Sequence, residues 1–225
     1  MSTLSQTKRI LVPLEMNETG EDLLYYASQL AQALGAELYL FHACKTADMT
    51  FTQQSSCIQK LRSFAERVFS REFKAVKVAV PFDCIVRPGQ VLDSIASVVQ
   101  NYQIDLVLMD AGARANKGLT GKAAEVASSM MDLIPCPVMV LPTSTRYQKL
   151  KHLVFATDFT DQDQRILFRI ADLAQQLKAK LTLVQVYGEE DRSQLCTYKA
   201  ALLKLEKQLK GRKVEFKLLG EEDVL

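Results

Sequence analysis

The 225-residue sequence predicts an α/β fold: a doubly wound five-stranded parallel sheet over residues 1–145, followed by a partial second copy over residues 146–225. Three observations carry this reading. Displaced by 143 positions, residues 10–43 fall on residues 153–186 without a gap, so the chain repeats itself. In each copy a short apolar run, an amphipathic helical pattern and a second apolar run follow one another within about 35 residues, the order of a βαβ unit with a right-handed crossover. The composition, 48% hydrophobic and 24% charged with nine glycines and six prolines, belongs to an ordinary folded chain and excludes collagen-like and disordered classes.

In the first copy, Ile10–Glu15 (ILVPLE) is a buried strand ending in a carboxylate. Leu23, Leu24, Ala27, Leu30, Ala31 and Leu34 mark one face of a helix, and Ala36–Ala43 is the second strand. A polar loop over residues 45–55 leads to a helix over Ser56–Arg71, then a strand over Val76–Val86 and a helix from Gln90 to Asn101. The strand Asp105–Asp110, a glycine-containing loop, the helix Ala123–Leu133 and the strand Cys136–Leu141 complete five strands and four helices. Met109, Met130, Met131 and Met139 fall on core positions.

The second copy repeats the strand as Leu153–Asp158 (LVFATD), the helix face as Ile166, Leu167, Ile170, Leu173, Ala174 and Leu177, and the next strand as Ala179–Val186. A helix over Ser193–Leu209, started by Asp191–Gln194, and a strand over Val214–Leu219 follow. Gly220–Leu225 then stands where Gly89–Ile95 opens the third helix of copy one, so the second domain is half written. The first strand of a doubly wound sheet has a neighbour on each side. In copy two one neighbour is missing, which leaves Val154 and Phe155 on an open edge. The expectation is a fragment of a longer tandem protein, or a sheet completed by another chain or domain.

Charge and cysteine usage narrow the partners. The 28 Lys and Arg against 26 Asp and Glu give +2, far from the basic excess of a nucleic-acid binder. No apolar stretch reaches the ~20 residues of a membrane span, and the opening MSTLSQTKR is polar, so the chain reads as soluble and cytoplasmic, with no membrane partner. The five cysteines (Cys44, Cys57, Cys84, Cys136, Cys196) lack CxxC spacing and read as reduced, mostly packed thiols, with no metal site expected. His42 sits in an apolar strand as a histidine with a satisfied hydrogen bond, and His152 falls where copy two begins. No Ser or Cys nucleophile occupies a strand-to-helix elbow, so no catalytic residue is assigned. The basic run Lys204, Lys207, Lys210, Arg212, Lys213 accompanies an apolar stripe of Leu202, Leu203, Leu205 and Leu209 and reads as a solvated helix face.

The order ILVPLE, helix, LYLFHA, DLVLMDAG and a helix running into Pro135–Pro142 (PCPVMVLP) resembles the universal stress protein family. It covers residues 9–142 as one whole domain and 151–225 as the front of another, as in tandem members. The resemblance implies a non-enzymatic stress-response protein acting by adenine nucleotide sensing or protein contact, with ATP or AMP as the candidate ligand. Its adenine side, at the ends of the first two strands, maps to Pro13, Glu15 and Ala43 in copy one and to Thr157, Asp158 and Val186 in copy two. Its phosphate side is a loop of the form G-x-x-G, about nine residues, then G-S/T, in which glycines let backbone N–H groups approach phosphate. Counted back from Pro135, those positions hold Ala113, Asn116, Ala124 and Glu125, so each diagnostic position departs. A Cβ on Ala and a carboxylate at Glu125 both oppose a triphosphate. Gly112, Gly118 and Gly121, with Thr120 and Lys122, still form a donor-rich loop opening a helix, suited to a smaller anion or another nucleotide register.

Glu15 reads as a cap of the following helix and Asp158 as facing ligand, so that copy one is largely a scaffold and copy two the host of any adenine nucleotide. The family also implies pairing through the last strand, Pro137–Leu141, giving a homodimer or an intramolecular domain pair. Two rivals remain: an enzyme performing slow ATP hydrolysis or adenylyl transfer, which needs intact phosphate donors and a positioned base or metal ligand, and an interaction module without ligand.

Overall fold

The computed structural model describes residues 8–44, 46, 48–72, 80–111, 122–157 and 164–220. The chain divides into two compact units, Met1–Tyr147 and Gln148–Leu225. In the first, β1 (Arg9–Pro13), β2 (Glu37–Cys44), β3 (Phe82–Pro88), β4 (Leu106–Asp110) and β5 (Val138–Leu141) alternate with α1 (Glu18–Leu34), α2 (Phe51–Glu72), α3 (Val91–Asn101) and α4 (Lys122–Leu133). All pairings are parallel in the order β3-β2-β1-β4-β5, the doubly wound sheet that the sequence predicts.

The strands are short and apolar because helices cover both faces. Leu11, Phe41, Ile85, Val107 and Met109 face Ile95, Val98 and Val99 of α3 and Ala127 and Met130 of α4. The alternate residues Ile10, Val12, Leu38 and Leu40 are buried too, on the side where α1 presents Leu24, Ala27, Leu30 and Ala31 and α2 presents Leu61, Phe64, Ala65 and Val68. Glu21 of α1 receives Arg67 at 3.2 Å and Arg71 at 2.7 Å, joining the two helices at the surface. Met131 is 58% exposed rather than in the core, because it stands one residue beyond buried Met130 and a helix turns about 100° per residue.

Two boundaries differ from the sequence reading by five residues or more. Helix α2 starts at Phe51, inside the expected polar loop. Thr50 Oγ1 accepts the Gln53 N–H at 3.3 Å and Gln53 Oε1 accepts the Thr50 N–H at 2.9 Å, a reciprocal capping pair that starts the helix early. Within the described residues strand β3 starts at Phe82, with Val80 and Pro81 outside it. Residues 76–79 of that expected strand lie outside the described residues.

In the second unit, β6 (His152–Ala156), α5 (Gln164–Leu177), β7 (Lys180–Tyr187), a 3-10 turn over Glu190–Gln194, α6 (Leu195–Gln208) and β8 (Val214–Gly220) form a parallel sheet ordered β6-β7-β8. The register repeats with the sequence: Arg9 pairs with Glu37 and His152 with Lys180, both residues displaced by 143. The end of the ladder repeats too, Leu14 N–H to Phe41 O and Thr157 N–H to Val184 O, both at 2.9 Å. Helices α1 and α5 end alike. Ala36 N–H bonds Ala31 O and Ala179 N–H bonds Ala174 O, each at 2.9 Å, with Gly35 (φ 62°) and Lys178 (φ 55°) in the left-handed region. Copy two departs at the next crossover, where Leu38 pairs with Phe82 but Leu181 with Val214, a shorter excursion.

The core of this unit joins Leu167, Ala171 and Ala174 of α5, Leu181 and Leu183 of β7, and Leu205 and Leu209 around α6. Leu203 points out of the expected stripe and is exposed. As expected, β6 lies at the edge of its sheet. Val154 is 67% exposed where the matching Leu11 is fully buried, because Leu11 has β4 on its second side and α3 and α4 over it.

Candidate functional site

In the first unit β1 lies between β2 and β4, and the helices that follow β1 and β4 pack on opposite faces of the sheet. The carboxyl ends of β1 and β4 therefore flank the switch point where ligands of open α/β sheets bind. Pro13 closes β1 opposite Phe41. Ala43, next to last in β2, pairs with Arg87 and packs on the α3/α4 side of the sheet. Glu15 is exposed just past β1.

Glu15 is not the cap of α1, contrary to the sequence reading. The cap is Asn17, whose Oδ1 accepts the Gly20 N–H at 2.9 Å and the Thr19 hydroxyl at 2.8 Å. A residue must hold extended backbone and a short acceptor at the position before the helix, and Asn17 does so at φ −137°. Glu15 supports it by accepting the Asn17 Nδ2 donor at 3.3 Å and, through its carbonyl, the Asn17 N–H at 2.9 Å. Gly20 is required here, since a Cβ would stand 1.9 Å from Glu15 O. The turn that carries Glu15 thus packs tightly against the first turn of α1.

At the far side of the switch point, Ala111 N–H bonds Leu141 O at 2.7 Å and Asp110 Oδ1 accepts the Thr143 hydroxyl at 3.2 Å. Gly112, Gly118 and Gly121, with Ala113, Asn116 and Thr120, lie outside the described residues. Glu125 stands exposed in the first turn of α4, where its carboxylate complements the helix dipole that a phosphate would otherwise use. In the second unit Thr157 and Val186 stand at the ends of β6 and β7, Val186 exposed, and Asp158 lies outside the described residues.

A cluster that sequence spacing did not reveal lies at the end of β2. A ring nitrogen of His42, Cys44 Sγ and Cys57 Sγ all lie within 4.8 Å of one another, and each residue is half-buried. The two sulfurs are 3.2 Å apart, and His42 Nδ1 is 3.0 Å from Leu14 O, the satisfied bond expected of this histidine. Burial, with the hydrogen bond to Cys57 second, pushes the Cys44 thiol up to about 11. The signal in the sequence was His-x-Cys on a strand, which puts both side chains on one face. Cys57 is thirteen residues on and belongs to another element, so only packing brings it in. None of the five cysteines is in a disulfide; Cys196 is exposed and Cys84 buried.

Comparison with known proteins adds to this geometry. The model of the universal stress protein family matches residues 6–142. The chain belongs to the universal stress protein family. A universal stress protein of Synechocystis sp. is 28% identical over 143 residues, covering 60% of this chain and 85% of that protein. Among solved structures, a universal stress protein of Archaeoglobus fulgidus superposes with a TM-score of 0.65 at 16% identity, covering 96% of this chain and 79% of its own. A functionally unknown protein of Pseudomonas aeruginosa gives 0.60 at 18% identity, covering 95% and 74%. At these identities the superpositions establish the fold, and membership of the family places this universal stress protein in the stress response. Among the described residues no helix is long and apolar enough to cross a membrane.

Proposed function

We propose that this universal stress protein is a non-catalytic cytoplasmic component of the stress response that acts by binding, through adenine nucleotide sensing and protein contact. In this reading the first unit seats the adenosine part of a nucleotide and has lost its grip on a triphosphate. The observation that supports it is a doubly wound switch point whose helix α4 opens on a carboxylate. Pro13, Glu15 and Ala43 stand at the strand ends where a base docks, while Glu125 puts a carboxylate in the first turn of α4. The negative charge opposes each added phosphate, so affinity should not climb from adenosine to AMP to ATP.

Thermal unfolding in the presence of adenosine, AMP and ATP tests this, because a ligand of the native state raises the midpoint by mass action. The expected result is a comparable shift with all three at millimolar concentration. A much larger shift with ATP would overturn the lost-phosphate reading, and no shift with any ligand would remove nucleotide sensing. Release of phosphate from ATP over hours would favour the enzymatic rival.

A second observation favours protein contact. Strand β5 is an edge of the five-stranded sheet, and Val138, Met139 and Val140 are only half-buried. Pairing across Pro137–Leu141 would bury this strand, either between two copies of the chain or between its two units.

A further inference from the structure

We propose that His42, Cys44 and Cys57 form a binding site for a soft d10 cation, zinc(II) in the first instance, at the carboxyl end of β2. The donor set carries the argument. Two thiolates and one imidazole select zinc over the hard cations magnesium and calcium, which take oxygen ligands. The two sulfurs and a ring nitrogen of His42 already lie within 4.8 Å of one another. Zn–S bonds of about 2.3 Å and a Zn–N bond of about 2.0 Å in a tetrahedron put the donors roughly 3.5–3.8 Å apart. The sulfurs, at 3.2 Å, need to part by only about half an ångström to meet that geometry.

The surroundings hold the donors in place. His42 Nδ1 faces Leu14 O at 3.0 Å; with the proton on Nδ1, the ring donates there and keeps its lone pair on Nε2. A backbone carbonyl that fixes the tautomer in this way is the usual outer partner of a metal-bound histidine. His42 and Cys44 project from the same face of β2, a strand flanked by β1 and β3. Cys57 heads the apolar stripe of α2 that continues through Leu61, Phe64 and Val68. One turn earlier, Gln54 Nε2 donates to Val86 O of β3 at 3.1 Å and pins the helix over the strand ends. Among the described residues the site has three protein donors, all half-buried, which leaves a fourth position for water or an incoming ligand, unlike a closed structural site. The site stands independently of the nucleotide reading, since it shares no residue with it.

The test uses the full chain, reduced and confirmed by thiol titration under denaturing conditions to carry five reduced thiols. Zinc is titrated against a chromophoric chelator, and cobalt(II) serves as the spectroscopic probe. The expected result is one metal ion per chain and a cobalt complex with thiolate-to-cobalt charge-transfer absorption. Cys44→Ser, Cys57→Ser and His42→Gln should each weaken binding by about tenfold or more, whereas Cys196→Ser should leave it unchanged. A reduced wild-type chain that fails to compete with the chelator would overturn the proposal. So would a wild-type cobalt complex without thiolate charge transfer, a readout that does not depend on any variant folding.

Discussion

Gly20 and Asn17 set the turn after β1, and neither is an apolar residue whose spacing announces it. The Gly20 Cα comes so close to Glu15 O that a methyl group has no room. Gly20→Ala should therefore destabilise the first unit by about 1–3 kcal/mol in denaturant unfolding, the cost of overpacking against backbone. The cysteines supply a second residue-scale expectation. Burial pushes the Cys84 thiol, like that of Cys44, up to about 11. A thiol raised on folding contributes stability that is complete below its unfolded pKa of about 8.5 and is lost as pH rises through the folded value. The unfolding midpoint should fall between pH 8.5 and 11, and Cys84→Val should flatten part of that slope. Alkylation at neutral pH should reach exposed Cys196 first, read by mass spectrometry.

At the scale of elements, the two copies offer an internal comparison. Both α1 and α5 close with the same hydrogen-bond pattern, but the left-handed position holds Gly35 in one and Lys178 in the other. An L side chain in that region costs about 1–2 kcal/mol, so Lys178→Gly should stabilise the second unit on the order of 1 kcal/mol. Calorimetry of the full chain would detect it as a rise in the midpoint of one transition. The strands β1 and β6 make the opposite contrast. Val154→Lys should leave stability within about 0.5 kcal/mol of wild type and reduce self-association, because the side chain is already exposed on an edge. Leu11→Lys, at the matching buried position, should abolish the cooperative unfolding of the first unit.

At the scale of the whole molecule, assembly through β5 is the feature most open to a decisive variant. The end bonds of this pairing, Val107 N–H to Pro137 O and Ala111 N–H to Leu141 O, assign alternate residues of β5 to β4. In a parallel pair the intervening residues, Val138 and Val140, turn their N–H groups to the open edge. Val140→Pro should therefore remove an association through this edge, read by light scattering, while leaving the fold of the unit intact. A dimer that persists unchanged in this variant would exclude β5 as the contact.

The apolar periodicities and the 143-residue repeat were legible because each is a property of the chain's own pattern. Strand alternation, helix spacing and the presence of Glu125 need no partner to be read, and the repeated register of β1–β2 in β6–β7 follows from the repeated pattern. What the tertiary structure alone decided was proximity. Asn17 rather than Glu15 caps α1 because of how the chain turns after β1, and Val154 is bare because of which strand stands beside it. Cys57 meets His42 and Cys44 because the crossover folds α2 back onto the sheet, against β3 and α1. Contacts between elements depend on where packing places them, and that placement is fixed by burial of the whole sheet rather than by any one segment's pattern.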